Sequence, residues 1–203
     1  MDLRSVREEF EAKISLFDDL KEKALYILDK ERKRQMIKIH MLYGRIKEID
    51  KFLDKIRRKS IKEPFTQIHD IVGLRVVCLF RSDIKRIGNV VCRAFRVIEK
   101  EDKTKHGDPR IFEYEGFHFI VKLREEDLSS EDSEIGKVKF EIQVHTIGQD
   151  AWAAVSHHLD YKKEKGIPDS LRQDFNALSG LFHVADSQFE FIRREVSIRE
   201  GTG

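Results

Sequence analysis

The segment KVKFEIQVHT (137–146) alternates strictly between apolar and polar residues. Val138, Phe140, Ile142 and Val144 fall on one side of an extended chain, and Lys139, Glu141, Gln143 and His145 on the other. One polar face therefore carries a carboxylate, an amide and an imidazole. A second carboxylate, Asp70, heads the apolar run DIVGLRVVCLF (70–80), short enough for a buried strand. A carboxylate on a central strand needs a counter-charge, because burying it unpaired is costly. A divalent metal would serve, and Mg2+ prefers one or two carboxylates plus substrate phosphates. A salt bridge to Lys or Arg would serve equally, and the pattern leaves both open.

Candidate cations lie just upstream. Arg45, Lys47, Lys51, Lys55, Arg57, Arg58, Lys59 and Lys62 are opposed only by Glu48, Asp50 and Asp54. On a helix, Lys51, Lys55 and Arg58 share a face. Such a face can hold a triphosphate, with Arg as a two-pronged clamp and Lys as a point charge, or can simply be solvated. Tyr114 and His118 bracket the start of another strand. A tyrosine can stack a base, worth on the order of 1–3 kcal/mol in single-strand binders. His118 can donate to a phosphate or sugar oxygen; ordinary loop and sheet roles are open for both. No phosphate-binding glycine loop, dinucleotide fingerprint, zinc spacing or Ser-His-Asp order occurs.

These groups need positioning elements. Three-and-four spacing from Leu3 to Leu28, with no Pro or Gly before Gly44, predicts helix over 3–42. A second helix is expected over 48–59, ended by Pro64. Strands follow at 70–80, 96–98, 117–123 and 137–146, with a helix from Ser82 to about Phe95. The stretch 147–162, which holds Trp152, reads as helix. So does a stretch after Pro168 with an apolar stripe of Leu171, Phe175, Leu178, Leu181, Phe182, Ala185, Phe189 and Ile192. The layout is α+β, a four-strand mixed core between helical ends.

Composition narrows the class. The 203 residues suit one domain with room for a helical appendage. Hydrophobic residues at 40% allow a core, and 11 Gly with 3 Pro exclude collagen-like chains. A net charge of +2 argues against a general polyanion binder but allows a local basic site. Cys78 and Cys92 have no metal-ligand spacing and read as two buried thiols. No signal peptide or membrane span is visible, so a cytoplasmic protein without membrane contact is expected.

Four ordered blocks carry a resemblance: GRIKEIDKFLDKIRRKS (44–60), DIVGLRVVCLF (70–80), YEGFHFIVKL (114–123) and FEIQVHTIGQDAWAAVSHHLDYK (140–162). Together they resemble the synthetase domain of the RelA/SpoT alarmone synthetases, particularly the small single-domain members. The resemblance implies a nucleotidyltransferase-like mixed sheet with flanking helices. It divides the chain into a helical extension (1–43), a synthetase core (44–165) and a helical end (166–203). The implied activity is transfer of pyrophosphate from ATP to the 3′-hydroxyl of GTP or GDP, giving pppGpp or ppGpp.

By position, Asp70 becomes a Mg2+ ligand, and Glu141 the second acidic residue near metal and attacking hydroxyl. Arg45, Lys47, Lys55 and Arg58 hold ATP, and Tyr114 stacks on the acceptor guanine. His118 and Gln143 match the family's His and Gln. Family members also form homo-oligomers through terminal helices. The family pattern is broken at Glu113, Glu115 and Gly116, at His145 in place of Arg, and at Ser156 in place of Glu. These departures open a changed acceptor (a tRNA 3′ end or an adenine nucleotide) and a nucleotide-binding homologue without catalysis.

Overall fold

The structure is a computed structural model that describes residues 2–102, 116–161 and 167–201. Two helices open the chain. In α1 (Leu3–Ala12) the Asp2 side chain caps the first turn by accepting from the Arg4 N–H. The chain breaks at Lys13 and resumes as α2 (Ile14–Arg34), which buries Phe17, Leu20, Ala24 and Leu28. Helix then stops well short of residue 42. Met36 takes a left-handed conformation with φ 53°, and Met41–Ile46 forms strand β1. Among the described residues the sheet therefore has five strands rather than four, and β1 straddles the expected boundary at 43/44.

The remaining elements are α3 (Ile49–Lys59), a short α4 (Pro64–Gln67), β2 (Val72–Cys78), α5 (Arg81–Ala94) and β3 (Arg96–Asp102). They are followed by β4 (Phe117–Lys122), β5 (Phe140–Thr146), α6 (Ile147–Tyr161) and α7 (Asp169–Glu200). The strand order is β1-β2-β5-β4-β3. The central pair β2–β5 is parallel and every other pairing antiparallel.

Side-chain alternation gives this sheet two chemically different faces. On one, Leu74, Ile142 and Phe119 lie in register beside Gly44 and join the core under α2 and α5. Gly44 is required there, since a Cβ would stand 2.7 Å from Lys21 Cγ, in the path of α2. The glycine that breaks the helical pattern in sequence thus lets a helix lie close to a strand. On the opposite face, Tyr43, Arg75, Gln143 and His118 form one row across β1, β2, β5 and β4.

Helix α7 departs most from its sequence pattern. Its inward positions are Phe175 and Phe182, which pack on Trp152, and the buried Ser179, Asp186 and Glu190. Leu171, Leu178, Leu181, Phe189 and Ile192 of the expected stripe are exposed, with Leu181 at 64%. Cys78 is buried, which pushes its thiol up to about 12 with help from the Asp83 charge, but Cys92 is exposed rather than buried.

Candidate active site

Asp70 sits just before β2, facing the chain that leaves β1 and the first turns of α3. Lys47 Nζ donates to Asp70 Oδ2 at 2.8 Å, and Lys55 Nζ donates to Oδ1 at 2.9 Å. Both bonds are charge-assisted and largely shielded from solvent. Burial pushes the Asp70 carboxyl up, but the two ammonium groups outweigh it and hold the group below the ordinary 3.8. Arg45 and Gly73 are paired across β1 and β2 and line the same cleft as Asp70 and Glu141. The missing side chain at Gly73 keeps the floor between Arg45 and Glu141 open.

A hydrogen-bonded chain crosses the sheet beside this pair. His118 Nδ1 lies 2.9 Å from Glu141 Oε1, and Gln143 Nε2 donates to Glu141 Oε2 at 2.8 Å. Arg75 Nε donates to Gln143 Oε1 at 3.0 Å, and its Nη1 donates to Asp150 of α6 at 2.8 Å. The Gln143 amide orientation follows from these partners: its oxygen faces a guanidinium and its nitrogen a carboxylate. Burial raises the Glu141 carboxyl and the Asp70 charge adds to that. The His118 contact, helped by Gln143, prevails and holds it below the ordinary 4.5.

Several expected site residues thus converge: Asp70, Glu141, Arg45, Lys47, Lys55, His118 and Gln143. Arg58, one turn beyond Lys55 on α3, is exposed, as its solvated-face alternative allowed. Tyr114, Glu113 and Glu115 lie outside the described residues. Ser156 bonds the Ala153 carbonyl of its own helix. The polar face of β5 is largely covered: Glu141 is half-buried and His145 is at 2% exposure. Arg75 and Asp150 were not singled out in the sequence. The signal for Arg75 was present: a lone cation inside an apolar strand must have partners.

Asp70 and Glu141 project into one cleft, and both are held ionised, the state a metal ligand requires. Among the described residues no group of three or more acidic, His or Cys side chains is arranged to hold an ion. Two hard oxygen donors without a third suit a Mg2+ ion completed by nucleotide phosphates rather than a closed protein cage. A larger groove of about 930 Å3, lined by Lys23, Tyr26, Lys30, Arg93 and Arg124, lies along α2 and the end of α5. It holds neither carboxylate of the pair. Of its cations, Arg93 sits in the last turn of α5, where positive charge complements the helix dipole.

Residues 44–166 match the family model described as "Region found in RelA / SpoT proteins". The chain is 30% identical over 162 residues to GTP pyrophosphokinase YjbM of Bacillus subtilis (strain 168), covering 78% of this chain and 74% of that protein. It is 29% identical over 159 residues to GTP pyrophosphokinase YwaC of the same organism, covering 75% and 73%. The crystal structure of small alarmone synthetase 1 from Bacillus subtilis bound to its product pppGpp superposes with a TM-score of 0.77. That match has 26% identity and covers 93% of this chain and 98% of the other. With the model match spanning more than half of the chain and over the same cleft, this protein belongs to the RelA/SpoT family.

Proposed function

We propose that the protein is a GTP pyrophosphokinase that transfers pyrophosphate from ATP to the 3′-hydroxyl of GTP or GDP, yielding pppGpp or ppGpp and AMP. The observation that carries this reading is the meeting of Asp70 and Glu141 in one cleft with Lys47, Lys55 and Arg75, in a chain of this family. The acceptor 3′-oxygen attacks the β-phosphorus of ATP, the bond from that phosphorus to the α-phosphate oxygen breaks, and AMP leaves. Such a transfer demands placement and charge neutralisation more than covalent chemistry.

Lys47, Lys55 and Arg45 hold the ATP phosphates and base. Glu141 accepts the proton of the attacking hydroxyl, and His118 and Gln143 fix its two oxygens. Asp70 and Glu141 are the ligands for Mg2+, which when bound neutralises charge on the phosphates. Tyr114 stacks on the acceptor base. The test is incubation with Mg2+ and γ-labelled ATP, offering GDP, GTP, ATP and bulk tRNA separately. Label on GDP or GTP is expected; label only on tRNA or ATP, or none at all, would overturn the reading. Nucleotide substrates of this kind fit a cytoplasmic setting, and no helix among the described residues is long and apolar enough to cross a membrane.

The outer face of α7 supports assembly with a second copy of the chain. Leu178, Leu181, Phe189, Ile192 and Val196 are exposed on one face of a helix whose other side, with Phe175, Phe182, Asp186 and Glu190, is already docked. An apolar surface of that extent marks an interface. Sedimentation showing a concentration-independent monomer would remove this part.

A further inference from the structure

One aromatic ring in the cleft has no part among the groups described so far. Tyr43 lies on β1, an edge strand, and lines the same cleft as Asp70 and Glu141. It is half-buried. Among the described residues its hydroxyl has no hydrogen bond, and neither a second ring nor a cation sits on its face. A buried tyrosine usually finds a partner for its ring and a bond for its hydroxyl. Tyr43 leaves both uses open inside a polar cleft.

Its neighbours are held in place around it. Across the β1–β2 pairing Tyr43 stands opposite Arg75, with Cβ atoms about 5 Å apart. The Arg75 guanidinium reaches the other way, to Gln143 on β5 and Asp150 on α6, which makes it a fixed wall rather than a partner of the phenol. Two residues further along β1, the Arg45 side chain lies across Gly73, 3.9 Å from where a Cβ would stand. Neither β1 nor β2 carries a carboxylate. The corner shared by Tyr43, Arg45 and Arg75 is therefore cationic and bounded by planar groups. A flat heterocycle attached to phosphates is the ligand class that suits it.

Position along the sheet decides which nucleotide reaches this ring. Lys47 directly follows β1 and lies four residues beyond Tyr43, about 13 Å along an extended chain. One extended nucleotide covers that distance from its base to its terminal phosphates. His118, at the β4 end of the row that Tyr43 begins, is three strand spacings away, about 14 Å. Glu141 stands on β5 between these two ends. We propose that Tyr43 is a substrate-binding residue for the donor nucleotide: its ring is the platform for the donor's base at the edge of the sheet, while Lys47 and Lys55 take the phosphates. Stacking of this kind is satisfied by any purine, so it favours a nucleotide over a bare polyphosphate without choosing the base. The inference rests on the pyrophosphokinase reading for which nucleotide occupies the β1 side.

Equilibrium binding separates the base contact from the phosphate contacts. A non-hydrolysable ATP analogue, inorganic tripolyphosphate and GDP are titrated separately into the full chain, as wild type, Tyr43→Leu, Tyr43→Phe and Tyr43→Trp. Tyr43→Leu is expected to weaken the ATP analogue about tenfold, within the range for losing one stacked base. Tripolyphosphate, which has no base, and GDP are expected to stay within about twofold of wild type. Phe and Trp keep a flat ring and are expected to hold the analogue within about threefold. Equal loss of the analogue and tripolyphosphate in Tyr43→Leu would mean that the residue merely shapes the cleft, and would overturn the proposal. So would an unchanged analogue affinity in Tyr43→Leu, a Tyr43→Phe as weak as Tyr43→Leu, a loss for GDP as large as that for the analogue, or a wild type that does not bind the analogue. A wild type that binds the analogue through Tyr43 yet transfers nothing would overturn the pyrophosphokinase reading and leave this inference standing. A Tyr43→Leu enzyme that transfers label and binds the analogue as wild type does would show the opposite.

Discussion

Strand β5 and helix α7 both turn polar side chains inward, and they do so to different ends. On β5, Glu141 is bonded to His118 and Gln143 to Arg75, and Glu141, Gln143 and Arg75 line the cleft. On α7, Asp186 accepts from the Thr146 hydroxyl, Glu190 accepts from the Ser82 N–H, and Arg193 donates to Asp83. These contacts join α7 to the first residues of α5 and to the junction of β5 with α6, with no nucleotide-facing group among them. Polar burial on the strand organises reacting groups. On the helix it docks a whole element, together with Phe175 and Phe182, and leaves a second apolar face outward. Buried polarity therefore identifies a site only when the partners themselves face a cleft.

The largest expected effect separates the two regions most sharply. Glu141→Gln should keep the fold and lower kcat by roughly 100-fold or more, the scale of losing one preorganised charged group. Asp186→Ala should do the reverse: unfolding free energy falls by about 1–3 kcal/mol because a buried hydroxyl loses its acceptor. Turnover per folded molecule should hold. Kinetics paired with denaturant titration reads both, and a stable, fully active E141Q would erase the distinction.

Acid titration sharpens the β5 side further. His145 is depressed in the folded state from the ordinary 6.5 to about 3, so the unfolded chain takes up the extra proton first. Its contribution is complete above pH 6.5 and is lost as pH falls toward its folded value. The slope is about 1.4 kcal/mol per pH unit for one fully linked proton. Asp70 and Glu141, lowered from 3.8 and 4.5, add a further loss only below those values. His145→Leu should flatten the limb between about pH 6 and pH 4.5 and leave the lower one; an unchanged profile would show the ring is not buried neutral.

The smallest effect on stability belongs to the outer face of α7. Ile192→Glu should change the monomer's melting by less than about 0.5 kcal/mol, as for an exposed position. It should nonetheless shift the sedimentation coefficient toward the monomer. A large loss of melting temperature with no change in assembly would mean that this face packs inward.

What could be read from the residues alone follows from periodicity. Alternation on 137–146 sorts the apolar and polar side chains of β5 onto the two faces correctly, because a period of two leaves no other phase, but it does not tell that the polar face is covered too. The start of strand β1 was hidden because Ile37, Ile39 and Leu42 extend an apolar pattern with no Pro or Gly before Gly44, and the stop depends on the backbone of Met36. The α7 stripe is real, but a helical period cannot say whether the apolar side meets its own core or another molecule. Asp70 with Lys47 and Lys55 was legible because the charges are close in sequence. Arg75 with Asp150 was not, since 75 residues separate them.

The parallel pairing of β2 with β5 carries one more consequence, for biosynthesis. Gly73 pairs with Glu141, and Arg75 with Gln143, across 68 residues that include α5, β3 and β4. Closing so long a loop must precede any reward from the contacts it makes, which slows folding relative to local structure. A chain emerging from the ribosome can form its first helices and even the antiparallel β1–β2 pair while still lacking the strand that bears Glu141. The catalytic cleft comes into being only once β5 has been made, so a product ended before that strand lacks Glu141 altogether.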